Sequence, residues 1–245
     1  MTTTVTTRNP VRSDLPAEPV EGGAQPARSR AWAFAGIGAS VLLAATIVTS
    51  SMVDVVYRDE FASTTEGVAD ALADKTGVMF ALHSAGMLAA VLLIVFAAGL
   101  HRRLRDVASD SLAPMVAFAG LVGTAVVGVM GAGLDTEFMM TLGSDKALVS
   151  DPSAAMYNHW IGTIPWLWVL AGLAGLALFP VARQGGVPRW MGLVGLVLGG
   201  LTVLLGVSPV EYMAGPVAFL MLLPISIGLA FGDKAYRTAR VAGAR

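Results

Sequence analysis

His83 is the residue of this sequence best equipped for chemistry. Met79 and Met87 lie four residues to either side of it, a spacing that in a helix puts all three side chains on one face. Thioether plus imidazole donors suit Cu(I) and need no cysteine, of which the chain has none. His159 opens a later apolar run, with Met156 three residues before it and Met139 and Met140 in the segment upstream. Imidazoles from two facing helices could instead hold the iron of a haem b, and His83 with His159 is the one pair suited to that. The competing account is structural and the stronger of the two: Met fills irregular gaps between helices, and an interfacial His bonded to a backbone carbonyl is ordinary.

A second constellation is acidic. Asp135, Glu137 and Glu211 all fall in segments flanking apolar runs, and with His159 they form an expected outer-facing polar cluster. A carboxylate and a histidine are the minimum for general acid–base work, but a solvated loop face is the simpler reading. No Ser-centred nucleophile elbow, His-Glu-x-x-His zinc motif or phosphate-binding loop accompanies them, so catalysis is the minority reading. Trp166 and Trp168 lie inside an apolar run, where an indole N–H wants an acceptor. Pro165 frees the carbonyl of Ile161 to supply one. A packed aromatic seam beside a mild kink is expected there, or an apolar pocket for a lipid tail.

The elements that would position these groups are membrane helices. Of 245 residues, 55% are hydrophobic and 13% charged, which is a membrane composition. An apolar run of about 20 residues crosses a bilayer core, and six such runs are expected: 31–53, 78–100, 112–134, 159–181, 191–207 and 213–232. The fold class is therefore all-α, a polytopic bundle. Residues 1–30, with Pro10, Pro16, Pro19 and Pro26 and no apolar periodicity, read as a disordered tail, and 233–245 as a short basic one. Between the first two spans, Ser63-Thr64-Thr65-Glu66 matches a capping box ahead of Val68, Ala71 and Leu72, which predicts a short surface helix.

Charge tests this topology. Arg8, Arg12, Arg28, Arg30, Arg102, Arg103, Arg105, Arg183, Arg189, Lys234, Arg237, Arg240 and Arg245 fall on one side, and the other side holds only Arg58, Lys75 and Lys146 among bases. Lys and Arg resist translocation near helix ends, so both termini are expected on the cytoplasmic side; the excess of Arg over Lys with abundant Ala, Gly and Val hints at a bacterial genome, and so at the bacterial inner membrane as the expected location. Trp32, Trp160, Arg189 and Trp190 are the expected interfacial anchors. None of the six expected spans contains Asp, Glu, Lys or Arg, which argues against ion-coupled transport, because coupling groups usually sit at membrane depth. Uncoupled passage of a lipid or small molecule stays open.

Small residues recur at four-residue spacing: Gly36, Ser40 and Ala44; Ala81, Ala85 and Ala89; Thr124, Gly128 and Ala132; Ala171 and Gly175; Gly195 and Gly199; Gly228 and Gly232. They permit close backbone approach between helices in a bilayer. The expected partners are membrane lipids and a membrane protein or second copy of the chain; a net charge of −1 gives no reason to expect nucleic acid. Finally, Asp151-Pro152 and Ala154-Ala155 before the fourth span, Gly186-Val187-Pro188-Arg189-Trp190-Met191-Gly192 leading into the fifth, and Pro216 near the sixth form a pattern. With the acidic loop and short helix after the first span, it resembles a family of uncharacterised six-helix integral membrane proteins frequent in actinobacteria. The resemblance covers about residues 31–232 and implies fold and location but no activity. The leading expectation is an accessory, sensing or lipid-interacting membrane component; the alternative is a protein that handles metal or haem, or an enzyme, built on the His/Met/Glu groups.

Overall fold

The structure is a computed structural model and describes residues 29–232, apart from the Lys146 side chain; the expectations for the two tails fall almost wholly outside that range. Within it there are helices and turns and no strand. The helices are α1 (Ala31–Met52), α2 (Val68–Ala73), α3 (Thr76–Arg105), α4 (Ala113–Ser144), α5 (Asp151–Trp160), α6 (Ala171–Arg183), α7 (Arg189–Val194), α8 (Gly200–Gly206) and α9 (Ala214–Ile227). A π-helical turn, Gly195–Gly199, joins α7 to α8, and another, Gly228–Gly232, extends α9. Six helical segments, 31–52, 76–105, 113–144, 151–183, 189–206 and 211–232, are long and apolar enough to cross a membrane.

Several of the expected boundaries move, and the fourth span begins at Asp151, eight residues before its expected start. The second span continues through the basic cluster His101–Arg105, and the third runs ten residues past Leu134 to Ser144. At 32 residues, α4 is about 48 Å long, well beyond a hydrocarbon core of about 30 Å. Its sequence has neither Pro nor Gly–Gly between Leu134 and Ser144 to end it, so the helix persists after hydrophobicity stops. Asp135 and Glu137, expected in a loop, are therefore helical residues just past the expected end of the third span.

Burial divides into two cores. The larger runs through the bundle, from Leu43 of α1 past Leu93 and Phe96 of α3, Leu121 of α4 and Leu178 of α6 to Met221 of α9. The smaller lies at the acidic end, where Val55, Val56, Val68 and Leu72 pack on Met79, Met139, Leu142, Ala154 and Tyr157. The short helix α2 exists as expected, but with Val68 and Leu72 fully buried it is part of this second core. Its expected capping box does not form: Gly67 is the N-cap, at φ 84°. The cap comes from α5 instead, whose Asp151 carboxylate accepts the N–H groups of Gly67 (3.0 Å) and Ala69 (2.9 Å). A carboxylate there also suits the positive end of the helix dipole. An Asp151→Ala variant is expected to show faster amide hydrogen exchange at Gly67 and Ala69, with exchange in α3 and α4 unchanged.

At the basic end, Gly185 has φ 78° and closes α6 with a Schellman pair, its N–H bonded to the Ala182 carbonyl and that of Gly186 to Val181. Glycine suits this left-handed position. Arg103, only 2% exposed, donates to the Gly186 carbonyl at 2.7 Å and so ties α3 to the turn that launches α7. Of the expected anchors, Trp160 is exposed and Trp190 partly so. Trp32 is not an interfacial anchor: it is buried, stacked on Phe96, and room for its ring against α3 depends on Gly99 lacking a side chain.

Candidate ligand site at the broken fourth span

The fourth span is not one helix. After α5, residues Ile161–Trp166 form a 3₁₀ segment; Leu167 (φ −84°, ψ 67°) then turns the chain, and α6 begins at Ala171. Pro165 has no N–H to donate and its ring crowds the preceding turn. The Trp168 N–H reaches only two residues back, to the Trp166 carbonyl at 3.0 Å, an inverse γ-turn. The mild kink expected here is thus a full interruption. Backbone so irregular is tolerated at membrane depth only where protein buries it or it lines a cavity, and this segment does both.

Glycines of neighbouring helices admit it. A Cβ on Gly131 would lie 2.5 Å from Ile164, one on Gly120 2.5 Å from the Leu170 carbonyl oxygen, and one on Gly215 2.9 Å from that of Trp166. Ser50 near the end of α1 donates to the Gly162 carbonyl and accepts from the Trp166 indole N–H at 3.1 Å. The indole therefore finds Ser50, not the Ile161 carbonyl that Pro165 was expected to free for it. Asn158, 2% exposed, makes the second tie: Nδ2 donates to the Val53 carbonyl (2.6 Å) and Oδ1 accepts the Val56 N–H (3.0 Å).

Two hollows flank the broken segment. On one side is a cleft of about 300 Å³ at the acidic end, walled by Ser50, Ser51, Val53, Asp54 and Tyr57, by Asn158, Gly162, Thr163 and Trp166, and by Tyr212 and Met213 of the turn before α9. On the other is a cavity of about 30 Å³ inside the bundle, touched by Ile164, Pro165 and Trp168 and lined further by Leu82, Gly86, Thr124, Gly128 and Asp135. At the cleft rim, desolvation and the nearby Tyr212 push the Tyr57 phenol above its ordinary value. Desolvation pushes the Asp54 carboxyl up, but hydrogen bonding from Arg58 and the charges of Arg58 and Lys75 outweigh it and hold the carboxyl below its ordinary value.

The chemistry-bearing residues are distributed as follows. His83 is half-buried and its Nδ1 meets the Ala132 carbonyl of α4 at 2.9 Å. Met79 is fully buried in the second core, in the same cluster as Met139, and Met87 is partly buried. His159 is exposed and packs edge-on against Tyr57, ring centroids 5.3 Å apart. The two histidines thus serve different neighbours, and among the described residues no three His, Asp or Glu side chains gather as a metal site. Asp135 is buried while Glu137, about 200° further round α4, is exposed; Glu211 stands in the turn beside Tyr212. The structure does not assemble these into one cluster: Asp135 faces the inner cavity, and Tyr212 carries the Glu211 turn to the cleft.

Sequence reading singled out neither Asn158 nor Tyr157 nor the Tyr57–Tyr212 rim. Asn158 carried a signal, an amide entering an apolar run; the tyrosines carried none, since their pairing is set by chain segments far apart in sequence.

Fold and site together define a multi-pass α-helical membrane protein whose fourth span is interrupted between a cleft at the acidic end and a smaller hollow within the bundle. Comparison with protein-family models, with curated proteins and with solved structures finds no match for the chain.

Proposed function

We propose that this is a lipid-interacting protein of the bacterial cell membrane, with both termini cytoplasmic, that binds an amphiphile in the cleft beside the broken fourth span. The observation that carries the reading is the cleft itself: about 300 Å³, at the lower end of small-molecule sites. Its wall joins hydroxyl and amide groups of Ser51, Thr163 and Asn158 to the rings of Tyr57, Trp166 and Tyr212. Such a mixture suits a molecule with one wet and one apolar end, and tyrosine and tryptophan favour the same headgroup level. Orientation rests on the charge bias of the loops, and the bacterial setting on the likeness to the actinobacterial family.

The test is native mass spectrometry of the protein purified in mild detergent, with Ser51→Trp as comparison. Ser51 is exposed on the cleft wall and bonds only back to its own helix, so the indole fills the cleft without removing a tertiary contact. Wild-type protein is expected to retain a lipid-sized adduct that Ser51→Trp loses. A ligand-free wild type, or equal retention by both, overturns the reading.

A further inference from the structure

We infer that Asp135 is a buried proton-binding site, completed by Tyr157 and the inner cavity, and that the broken fourth span couples its occupancy to the cleft. The coupling half rests on the proposed amphiphile site; the proton site stands independently. Asp135 is 3% exposed, Tyr157 is fully buried, and neither the Asp135 Oδ1 nor the Tyr157 hydroxyl has a hydrogen-bond partner. The Tyr157 ring is held by stacking on Phe138, centroids 4.6 Å apart, and the hydroxyl and carboxyl interact while standing outside hydrogen-bond geometry. Two facing, buried and unsatisfied polar groups are costly, and a carboxylate more so unless it is paired.

The groups around Asp135 offer no fixed countercharge. From α3 comes His83, occupied by Ala132 and 3.4 Å from the Thr136 hydroxyl. From α5 comes Tyr157; the 161–166 segment carries no titratable side chain, and Asp70 of α2 and Asp74 just after it are exposed. Glu137 of α4 itself is exposed, and Arg183 of α6 stands at the opposite end of the bundle. Among the described residues no ion pair includes Asp135. A proton on the carboxyl removes the charge and provides a donor that the phenol oxygen can accept, so the pair satisfies itself with one proton bound and none released from tyrosine. The cavity beside it, about 30 Å³, has room for about one water to carry that proton.

Coupling follows from a shared wall. Ile164 and Pro165 border the Asp135 cavity, while Gly162, Thr163 and Trp166 of the same 3₁₀ segment border the cleft. A ligand that shifts this segment changes the space at Asp135, and by reciprocity the proton changes the ligand's affinity.

The test is infrared difference spectroscopy of the whole protein in lipid vesicles across a pH titration. Wild type is expected to show the C=O stretch of a protonated carboxylic acid that Asp135→Asn lacks and Tyr157→Phe shifts. If Asp135→Asn does not fold, Asp135→Glu must move the band. Absence of the band at every pH, or its persistence in Asp135→Asn, overturns the proton site. Lipid retention, measured by native mass spectrometry after equilibration at each pH, is expected to follow the same titration in wild type and to be flat in Asp135→Asn. Retention that ignores pH overturns the coupling, whereas no retention at any pH overturns the amphiphile site and the coupling built on it but not the infrared result.

Discussion

Replacing Asn158 by leucine is expected to destabilise the acidic end of the protein by about 2–6 kcal/mol, because it strands two buried backbone groups at once. Among the described residues Asn158 is the one side chain bonded both to the Val53 carbonyl and to the Val56 N–H, the point where α1 ends and the chain turns outward. Leucine matches its volume closely enough to keep packing comparable, so the loss is one of polar satisfaction, about 1–3 kcal/mol for each orphaned group. Asn158→Asp separates the two bonds: a carboxylate still accepts from Val56 but cannot donate to Val53, and it brings a charge to a buried site. Equilibrium unfolding in mixed micelles measures the cost. Limited proteolysis at Arg58 and Lys75 locates it, since both lie in the segment that the amide secures. An Asn158→Leu protein with wild-type stability and wild-type cleavage at Arg58 would remove the amide tie from the account of how the cleft is held.

The second large effect belongs to the contact between α6 and the fifth span. A Cβ on Gly195 would collide with the backbone carbonyl of Gly175; one on Gly199 would lie 2.7 Å from the Gly172 carbonyl oxygen and one on Gly172 2.6 Å from that of Gly199. These backbones touch, and in a bilayer such approach replaces the hydrophobic driving force that lipid does not supply. Gly195→Leu is expected to cost about 3 kcal/mol or more, at or above the usual range for overpacking, because the obstacle is main chain and cannot swing aside. Gly200→Ala is the control. Its Cβ meets only a Leu176 methyl, at 3.7 Å, so the helix gains about 0.5–1 kcal/mol from the alanine. Thermal unfolding of the two variants in the same detergent should therefore move in opposite directions, and a Gly195→Leu midpoint at or above wild type would contradict the packing described.

Several of these contacts are legible in the sequence. Gly175, Gly195 and Gly199 stood out by spacing alone, and they meet. Val187-Pro188-Arg189 was readable as a turn into a helix, and α7 starts at Arg189. What could not be read was partner choice. His83 and His159 are the same residue type, yet one bonds α4 and the other packs on Tyr57. Ser63–Glu66 had the composition of a cap, but the carboxylate that caps α2 is Asp151, more than eighty residues away in the chain.

By itself the sequence determined the number of spans, their approximate limits and the opposite charge of the two ends, because transfer of apolar and charged groups into a bilayer is a local property of each segment. Only the tertiary structure decided which apolar faces meet protein and which meet lipid, since the same side chains serve both. Hence Trp32 proved to be core and Trp160 surface. It also decided the fate of Asp135. Hydropathy ended the third span at Leu134, but backbone hydrogen bonding is indifferent to side-chain polarity, so α4 ran on and carried the carboxyl inward beside Tyr157. The interruption of the fourth span has the same origin: Pro165 made a break possible, and the glycines of α4 and α9 with Ser50 of α1 gave it a shape.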